Sequence, residues 1–563
     1  MLNIDDQNRS VPDSTQAALP AADVHSPDDD NLDTLIRKIL SNTGSWSVNQ
    51  NGIQRISPRG KLEIACYHEI LPIGRSHDIT TGTVKLKLAF RRSAQPWETI
   101  TVDKRTLASS RSIISLADFG ISVTSNSAAY LVEYINDMYE LNYGFLEYEI
   151  SVSHLGYIPK TGFAPYSDTL SVNVDESYRT IFSAIQEHGN LEEWFHAALE
   201  CRQMSTAVRI MLAGSFASPL VSVVGALPFF VHVWGVDSGT GKTVSLMLAA
   251  SIWGDPEPGR YIQTHNGTRV GHERFASFLH HMPLCIDELQ LASNGKRAPH
   301  VDVYQLAEGV GKSRGRSKGG VEITPTWSCT ILSTGESPIV TPKAGSGAVN
   351  RVIEIETEPD HYIIRDGNRI ANALKRNYGF AGKMFVTNLF ASEATIANAR
   401  NRFENNYNAL LQFNATDKQA MAGAILMTAD QLATKWIFRD NLILTAEDLR
   451  PYLVSKVAVS AGKRAYDWLC GWIAANSNHF HRGTLPPSGI TYGMIDNDIA
   501  YIIRPIFDQV LLEAGFSPAA TLSYLRANNL IIFRENKGYT KSKRINGISI
   551  DCVWMIYQKG EHT

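Results

Sequence analysis

One short segment constrains this chain more than any other: an apolar run that ends in a glycine-rich loop and continues into a helical pattern. The run is Val231 to Trp234, the loop carries Gly239-Thr-Gly-Lys-Thr243, and 242–252 has the apolar spacing of a helix. In a strand–loop–helix unit, the backbone N–H groups of the loop and of the first helical turn point at one place and bind a phosphate there. The pattern therefore predicts a phosphate-binding loop after a buried parallel strand.

Each residue of this loop has a chemical role in the prediction. Lys242 would reach the β- and γ-phosphates of ATP, and the Thr243 hydroxyl would be a ligand of Mg²⁺. The spacing departs from the usual G-x-x-x-x-G-K-[ST], because Val236 stands where the first glycine belongs and Gly235 lies one residue earlier. A chance glycine-rich loop is the alternative. The predicted ATP-binding residues are Ser238, Gly239, Thr240, Gly241, Lys242, Thr243 and Val244.

A hydrophobic run that ends in two acids, His281 to Glu288, fits the second half of such a site. Asp287 follows Lys242 by 45 residues and is predicted to hold Mg²⁺ through water. Glu288 is predicted to orient and deprotonate the attacking water. A hydrophobic run before Asp-Glu is common by itself, but at this distance after a phosphate-binding loop it predicts ATP hydrolysis with Mg²⁺ as cofactor.

Polar residues at the ends of the next two strands are candidates for positions that AAA+ ATPases use. The run 327–333 leads to Ser333 and Thr334, and either fits a sensor that helps to position the water or an ordinary strand-end cap. Arg351 opens the following strand, where AAA+ helicases place an arginine that reaches the γ-phosphate of the neighbouring subunit. A salt-bridging surface arginine is the alternative. Lys418 opens a predicted helix and is a candidate second-sensor cation or a solvated lysine.

Between the acid run and the sensor run lies a basic segment, 311–323, in which cations alternate with small residues. In an extended chain this alternation puts the cations on one face. Gly319-Gly320 indicates a turn, and 321–325 would return as the second strand of a hairpin. The position is similar to that of the channel hairpin of MCM-type and superfamily III helicases, which favours contact with DNA phosphates. A solvated loop, or cations that contact the nucleotide, is the alternative. The predicted DNA-binding cations are Lys312, Arg314, Arg316 and Lys318.

Composition and pattern divide the rest of the chain. Residues 1–30 are acidic, without an aromatic side chain, and are predicted to be a disordered tail. Short β-rich runs alternate over 31–175 and include one helix, which predicts an α+β N-terminal domain. The predicted fold is multidomain α/β: an AAA+ P-loop NTPase core over 214–365 after a helical linker at 176–213, a helical lid region over 366–478 and a C-terminal winged helix.

The winged helix is predicted over 490–558. A helix over 499–515 is followed by a second helix that begins with Ser517 as N-cap and Pro518 at its first position. Two β-like runs, 530–533 and 548–556, then flank a basic loop. Helix, turn, helix and hairpin is the winged-helix order, which contacts DNA or serves as a protein-interaction cap. The predicted DNA-binding residues here are Arg526, Arg534, Lys537, Lys541, Lys543 and Arg544.

Charge and cysteine content exclude several classes. The net charge is −3, which excludes a generally basic nucleic-acid coat. No two of the six cysteines are spaced as CxxC, so a zinc ribbon is not predicted, and scattered cysteines favour a reducing cytoplasm. The uncharged stretch 211–236 is long enough to span a bilayer. Pro219 and Pro228 interrupt it, so we expect no membrane association and predict a helix end, a turn at 225–228 and a buried strand at 229–234.

Taken together, the chain resembles a prophage and mobile-element family labelled DNA primase/helicase, a class of domains of unknown function. It is similar to the MCM-like, self-loading Cch helicases of chromosomal cassette elements. The resemblance implies a homo-oligomeric, hexameric AAA+ ring that hydrolyses ATP and translocates on DNA. The motifs that carry it are 239–243 with 251–256, 285–290, 309–312, 332–336 and 377–382.

Two functions follow from these motifs. One is an ATP-driven DNA helicase in the replication of a mobile element, with single-stranded DNA in the channel and duplex DNA at the winged helix. The other is an AAA+ switch or remodelling factor that binds DNA or protein without unwinding. The primase part of the family label has no support in the residues, because the dense acidic run 28–30 lies in the predicted tail.

Overall fold

The computed structural model describes residues 27–93, 95–292, 303–315, 322–340, 346–358, 361–455, 460–482, 489–533 and 538–557. Within these ranges the chain divides into two compact units, one ending at Ser151 and the other beginning at Val152. Most of the predicted tail, 1–26, lies outside the described residues. So do four of the predicted DNA-binding cations: Arg316, Lys318, Arg534 and Lys537.

The first unit combines antiparallel strand pairs with helices around a core of its own. One sheet has the order β1-β2-β3; in the other, β5 pairs with β4 and β6, and β7 runs parallel to β4. Its elements are α1 (Pro27–Leu40), β1 (Ser47–Asn49), β2 (Gly52–Ile56), β3 (Leu62–Cys66), β4 (Glu69–Asp78), β5 (Val84–Arg91), β6 (Glu98–Asp103), α2 (Lys104–Leu107), α3 (Ala128–Leu141) and β7 (Glu147–Val152).

The predicted tail is four residues too long at its C-terminal end. Residues 27–30 form the first turn of α1, although their composition is that of a disordered segment. The helix continues through Leu32, Leu35, Ile36 and Ile39, whose spacing puts them on one face, and that face packs into the core of the first unit. Burial of this apolar face outweighs the local acidity of the first turn.

The second unit is built around a parallel sheet. Its elements as far as this sheet's last strand are β8 (Gly156–Ile158), β9 (Gly162–Ala164), β10 (Ser171–Val172), α4 (Arg179–Ala184), α5 (Leu191–Met204), α6 (Thr206–Val223), β11 (Phe229–Trp234), α7 (Lys242–Ser251), β12 (Gln263–Thr264), α8 (Arg269–Leu279), β13 (Leu284–Asp287), α9 (Val303–Leu306), β14 (Thr330–Gly335), α10 (Ser346–Val349) and β15 (Val352–Glu356).

Five described strands form this sheet in the order β12-β13-β14-β11-β15, all parallel. Every residue of β13 and β14 is buried, which is typical of strands covered on both faces. Because the strands are parallel, the loop after β11, the acids at the end of β13 and the polar end of β14 meet at the carboxyl edge of the sheet. This edge is where open parallel sheets bind ligands.

Helix α6 accounts for the uncharged stretch that could be mistaken for a membrane span. It is long and apolar enough to cross a membrane, but 83% of its residues are buried inside the protein. It packs against α7, β14 and the later helix 417–433. The turn at 225–228 and strand β11 follow, as predicted, but Pro219 does not interrupt the helix, because it lies inside the continuous α6.

Residues 152–164, which the sequence pattern assigns to the N-terminal domain, pack within the second unit. Leu155 and Phe163 belong to its core. The Tyr157 N–H donates to Nδ1 of His281, 3.0 Å away at the end of α8. Burial, and secondarily the charge of His154, lower the pKa of His281 to about 4.

The low pKa of His281 predicts that the folded protein loses stability in acid. A histidine that stays neutral when folded, but binds a proton when unfolded, costs stability as the pH falls below about 6.5. We expect His281→Gln, which keeps an acceptor but does not titrate, to reduce the loss of stability between pH 6 and pH 5 by about 1 kcal/mol per pH unit. Urea unfolding monitored by circular dichroism at the two pH values measures this. The exposed His361→Gln is the control and should leave the slope unchanged.

A helical region and a C-terminal module complete the second unit. The helical region packs onto the parallel sheet through α6, and the C-terminal module has its own core. The elements are α11 (Gly367–Arg376), α12 (Phe380–Leu389), α13 (Glu393–Leu411), α14 (Asp417–Ala433), α15 (Ala446–Leu449), α16 (Ala461–Ala475), β16 (Phe480–His481), β17 (Gly493–Asp496), β18 (Ile499–Ile503), α17 (Arg504–Glu513), α18 (Pro518–Ala527), β19 (Lys541–Ile545) and β20 (Ile548–Ile556).

Two details of the predicted C-terminal module are wrong. The helix predicted over 499–515 begins only at Arg504, because 499–503 is strand β18, paired with β17 and β20. The predicted first β-run, 530–533, makes only an isolated bridge through Ile531 among the described residues. Instead, 541–545 of the predicted basic loop forms β19, joined to β20 by a tight turn. Short apolar runs do not distinguish strand from helix, and here the pairing partner decides.

Candidate functional site

The glycine-rich loop between β11 and α7 depends on two left-handed backbone positions. Gly239 has φ 77° and Gly241 has φ 98°, a region that side-chain-bearing residues rarely adopt. A Cβ atom at Gly241 would lie 2.8 Å from the backbone nitrogen of Ile364. Gly241 is also the N-cap of α7, so the loop turns directly into the amino end of that helix.

The displaced glycine has a packing role instead of a phosphate-binding one. A Cβ atom at Gly235 would lie 2.0 Å from Oγ1 of Thr357, which follows the neighbouring strand β15. Val236, at the usual glycine position, is 80% exposed, and its φ is not in the left-handed region. The loop conformation therefore needs no glycine at 236.

A cavity of about 350 Å³ lies between this loop and the carboxyl edge of the sheet. It brings together residues from the loop, from the acid strand β13 and from the end of β14. Thr240 is the one predicted loop residue that does not line it; its carbonyl accepts the Ile363 N–H at 2.9 Å. The predicted residues that line the cavity are Ser238, Gly239, Gly241, Lys242, Thr243, Val244, Asp287, Glu288 and Thr334.

The Lys242 ammonium points back onto the loop. Its Nζ donates to the Asp237 carbonyl at 2.5 Å and contacts Oγ1 of Thr240 at 3.4 Å. Desolvation lowers the pKa of Lys242, while the negative charges of Glu336, Asp237 and Asp287 oppose the shift. A partly desolvated cation held by a single backbone carbonyl is available to a stronger acceptor, such as a phosphate oxygen.

The two acids of β13 have different environments. Asp287 is 5% exposed, and its Oδ1 accepts the Glu288 N–H at 2.9 Å and the Thr334 hydroxyl. Glu288 is exposed and has φ 62°, so the chain turns sharply as the strand ends. Asp287 is thus fixed by hydrogen bonds, whereas the Glu288 carboxylate faces the open cavity.

Only one of the two sensor candidates reaches the cavity. Successive residues of a strand point to opposite faces, and Thr334 faces Asp287 while Ser333 is buried among histidines. Nε2 of His232 lies 3.0 Å from the Ser337 carbonyl, so it carries the hydrogen and Nδ1 accepts from the Ser333 hydroxyl at 3.1 Å. Ser333 then accepts from Nε2 of His265 at 3.0 Å. Ser333 therefore holds β14 through hydrogen bonds on the face opposite Thr334, and it does not line the cavity.

Arg351 and Lys418 lie away from this cavity. Arg351 precedes β15 and Lys418 opens α14; both line a second cavity of about 170 Å³ with Asn350 and 225–229. This cavity is at the amino edge of the sheet, because β11 and β15 are parallel and 229 and 351 stand at their beginnings. The structure therefore does not bring Lys418 to the loop of its own chain.

The Arg351 side chain is 5% exposed and already paired. Its Nη2 donates to Oε1 of Glu308 at 2.5 Å, and its guanidinium lies 4.5 Å from the ring centroid of Tyr304. Within one chain, Arg351 therefore has the salt-bridging environment that the sequence analysis gives as the alternative.

The base of the predicted basic hairpin is present. The Gly311 N–H donates to the Pro325 carbonyl at 2.8 Å, and Val310 pairs with Thr326. Lys312 is exposed. Arg314 instead donates from Nη2 to Oε2 of the buried Glu273 at 2.8 Å. The other two predicted cations, Arg316 and Lys318, lie outside the described residues.

Three of the four described DNA-binding candidates in the C-terminal module lie over aromatic rings. Arg526 of α18 is exposed and its guanidinium lies 4.9 Å from the Phe533 ring. Lys541 and Lys543 are both on β19, with ammonium groups 4.5 Å from the Trp554 ring and 3.7 Å from the Tyr501 ring, respectively. Arg544 donates to the Gly547 carbonyl at 3.1 Å. These side chains place positive charge beside aromatic rings of the same module, and positive charge of this kind attracts DNA phosphates.

The cavity also contains residues that the sequence did not single out for the site: Gln290, Gly335, Glu336, Gly367 and Asn368. Glu336 was recognisable only as part of the run after the sensor strand. Gly367 and Asn368 open α11, which begins more than 120 residues after the loop. No local signal marks them, because only the packing of α11 against α7 brings its amino end to the cavity.

Comparison with known proteins identifies relatives for most of the chain. Residues 40–326, just over half of the chain, match a family model described as a domain of unknown function (DUF927). Residues 460–559 match a model described as a Cch helix turn helix domain. A search of curated proteins finds no match.

One solved structure has a similar overall fold. The chain is similar to the structure titled "SCCmec type IV Cch - active helicase", with a TM-score of 0.66 and 19% identity over 91% of this chain and 98% of that one. A second structure, titled "The A form apo structure of NrS-1 C terminal region-CTR", has a TM-score of 0.27 and 10% identity over 85% of this chain and 95% of that one, too low to carry an argument. The resemblance to Cch is confirmed, and the fold is a multidomain α/β fold similar to that of Cch with a C-terminal helix-turn-helix domain.

Proposed function

Because this chain belongs to the DUF927 family and has the fold of a Cch protein, we propose that it is an ATP-dependent DNA helicase or translocase of a mobile element or prophage. It would act in DNA replication as an oligomeric AAA+ ring. One observation carries the proposal: Lys242, Asp287, Glu288 and Thr334 come from three separate segments and line one cavity. That combination of a cation, two acids and a hydroxyl around a phosphate-binding loop is the composition of an ATP-hydrolysing site.

ATP binding follows from the loop and the first turn of α7. The backbone N–H groups at 239–243 and the amino end of the helix provide positive partial charge where the phosphates would lie. Lys242 would exchange its contact with the Asp237 carbonyl for the β- and γ-phosphates. The amino end of α11, at Gly367 and Asn368, borders the same cavity and adds a second helix start facing the nucleotide.

Thr243 and Asp287 fit a Mg²⁺ ion bound with the nucleotide. A hydroxyl and a carboxylate on one cavity are hard oxygen donors, which Mg²⁺ prefers, and Mg²⁺ keeps several waters and binds few protein ligands. When bound, the ion neutralises charge on the phosphates. Asp287 is held in place for this contact by the Thr334 hydroxyl and the Glu288 N–H.

Glu288 is the residue placed to act on water. Its exposed carboxylate can accept the proton of an attacking water and orient it, as a general base does. Thr334, whose hydroxyl donates to Asp287, retains lone pairs that can accept a hydrogen bond from the same water. In this proposal, the fixed Asp287 binds Mg²⁺, and the exposed Glu288 takes the proton from water.

The proposed ring places a second chain's edge at this cavity. Arg351 and Lys418 lie together at the opposite edge of the sheet from the loop, which suits action on the nucleotide of a neighbouring chain. Arg351 would have to exchange Glu308 for the γ-phosphate, where a cation stabilises the charge that develops in phosphoryl transfer. The hexameric number comes from the sequence resemblance.

DNA is the proposed polymer substrate. Exposed Lys312 would contact single-stranded DNA in the ring, and the exposed face of α18 with the cations of β19 would contact duplex DNA. All six cysteines are unpaired, which fits the proposed cytoplasmic location.

The test of this function is ATP turnover with and without DNA. We expect single-stranded DNA to raise the steady-state ATPase rate several-fold and ATP to drive unwinding of a forked duplex. An ATPase rate that does not change when DNA is added would favour an AAA+ switch or remodelling factor. Duplex DNA without a single-stranded tail is the matched control, because it offers phosphates to the C-terminal module but no strand to the channel.

A further inference from the structure

Glu273 is a buried acid outside the proposed ATP site, and its ion pair with Arg314 links α8 to the base of the basic hairpin. It lies in the second turn of α8 and is 1% exposed. Its Oε2 accepts from Nη2 of Arg314 at 2.8 Å and from the Lys312 N–H at 3.5 Å. Its Oε1 accepts from Nε2 of Gln305 in α9 at 2.5 Å and lies 3.6 Å from Nε of Arg269, one turn earlier in α8. A carboxylate this buried is stable because these donors, Arg314 above all, compensate its charge.

The Arg314 side chain is correspondingly unsuited to DNA contact. It is 24% exposed and ion-paired with Glu273, and its backbone is fixed in the hairpin because its carbonyl accepts the Glu322 N–H at 2.8 Å. Lys312, two residues earlier, is exposed. Lys312 and Arg314 are two residues apart and were predicted to share one face toward DNA, but their environments differ: Lys312 is exposed, and Arg314 is paired with Glu273.

The segment that leads into α8 contacts β13 and β14. Just before Thr268, the N-cap of α8, the His265 N–H donates to the Asp287 carbonyl at 3.1 Å and the His265 ring contacts Ser333 at 3.0 Å. Near the helix start, the His272 ring holds the Thr264 carbonyl at 3.2 Å, and Glu273 is the next residue. The segment from His265 to Glu273, which includes the start of α8, therefore joins the backbone of Asp287 to the base of the hairpin.

We propose that Arg314 and Glu273 form an anchor that couples the nucleotide site to the hairpin, and that Arg314 is a positioning residue and not a DNA contact. The inference rests on the proposed function. A shift of the Asp287 backbone with nucleotide state moves the start of α8, and the ion pair transmits this movement to the hairpin strand that carries Lys312. Without the pair, ATP hydrolysis continues but no longer responds to DNA.

Two variants remove the anchor from either side, and a third removes a DNA contact. We expect Glu273→Gln and Arg314→Ala each to keep basal ATPase within about twofold, and to lose most of the stimulation by single-stranded DNA. Because both break one pair, the double variant should lose no more than either single variant. The salt dependence of single-stranded DNA binding should stay as in the unchanged protein. Lys312→Ala should instead weaken binding and lower the salt slope by about 0.7, the value for one phosphate contact.

The outcomes separate the anchor from its rivals. If Arg314→Ala lowers the salt slope as Lys312→Ala does, while Glu273→Gln remains fully stimulated, Arg314 is a DNA contact and the inference is overturned. Additive losses in the double variant would equally overturn it. If the unchanged protein is not stimulated by DNA, the proposed function fails and the coupling with it. Melting curves show whether each variant is folded. If Arg314→Ala unfolds, Arg314→Lys replaces it, because lysine keeps the charge but not the planar fork. We expect Arg314→Lys to keep the salt slope and lose stimulation, and full stimulation would count against the anchor.

Discussion

Replacing Lys242 by alanine is expected to abolish ATP binding and lower ATP hydrolysis by about 100-fold or more. The ammonium is the one cation among the described residues that line the cavity, and desolvation already lowers its pKa, so it gains more from a phosphate than an exposed lysine does. Titration with a fluorescent ATP analogue and a steady-state ATPase assay measure the two effects.

Lys383→Ala is the matched control for this prediction. Lys383 is half exposed in the same unit and pairs with Glu187 at 3.3 Å, so its removal takes away a lysine far from the loop and should leave both measurements unchanged. Turnover by Lys242→Ala within about tenfold of the unchanged protein would show that the cavity is not the ATP site, since a lost phosphate cation costs more than that.

Replacing Glu288 by glutamine is expected to separate binding from hydrolysis. The amide keeps the size of the side chain but cannot take a proton. The rate of ATP hydrolysis should therefore fall by roughly 10²- to 10⁴-fold, which is the contribution of general-base catalysis. ATP affinity should stay within about threefold, because Glu288 is exposed and acts on water, whereas Lys242 contacts the phosphates. Single-turnover hydrolysis and analogue binding measure the two quantities.

Glu336→Gln tests whether any acid in the cavity would serve. Glu336 lines the same cavity and its charge acts on Lys242, but it follows β14, not the acid strand. We expect its replacement to change the rate by much less than that of Glu288. Fast turnover by Glu288→Gln, or equal losses in the two variants, would contradict the assignment of Glu288 as the base.

The local elements of the site were predictable, because their signals lie in contiguous residues. Strand β11 has the predicted bounds Phe229–Trp234, and α7 begins at Lys242 as the loop pattern indicates. The loop needs left-handed residues at 239 and 241, and glycine stands at both. The acid strand ends at Asp287, as its apolar run predicts. Each of these depends on residues within about ten positions of one another.

The sequence does not decide the structure at positions where a side chain could point to either face of the sheet, or where a segment could be either strand or helix. Ser333 and Thr334 are equivalent in sequence, and only the register of β14 between β13 and β11 turns Thr334 toward Asp287 and Ser333 toward the histidines. The sequence pattern predicts a helix from 499 onward, where the structure has strand β18, because five apolar residues fit either state. The pairing of β18 with β20 settles the matter.

The sequence by itself determined a glycine-rich loop between a buried strand and a helix, an acid pair at the end of a second strand and the resemblance to Cch, because these properties depend on residue types and spacings within short stretches. Only the tertiary structure decided that Lys418 sits at the far edge of the sheet, that α11 closes the cavity and that Arg314 faces Glu273, 41 residues away. The physical reason is that alternation along a strand specifies which side chains share a face, whereas the packing of distant segments specifies what that face meets: solvent, DNA or a buried carboxylate.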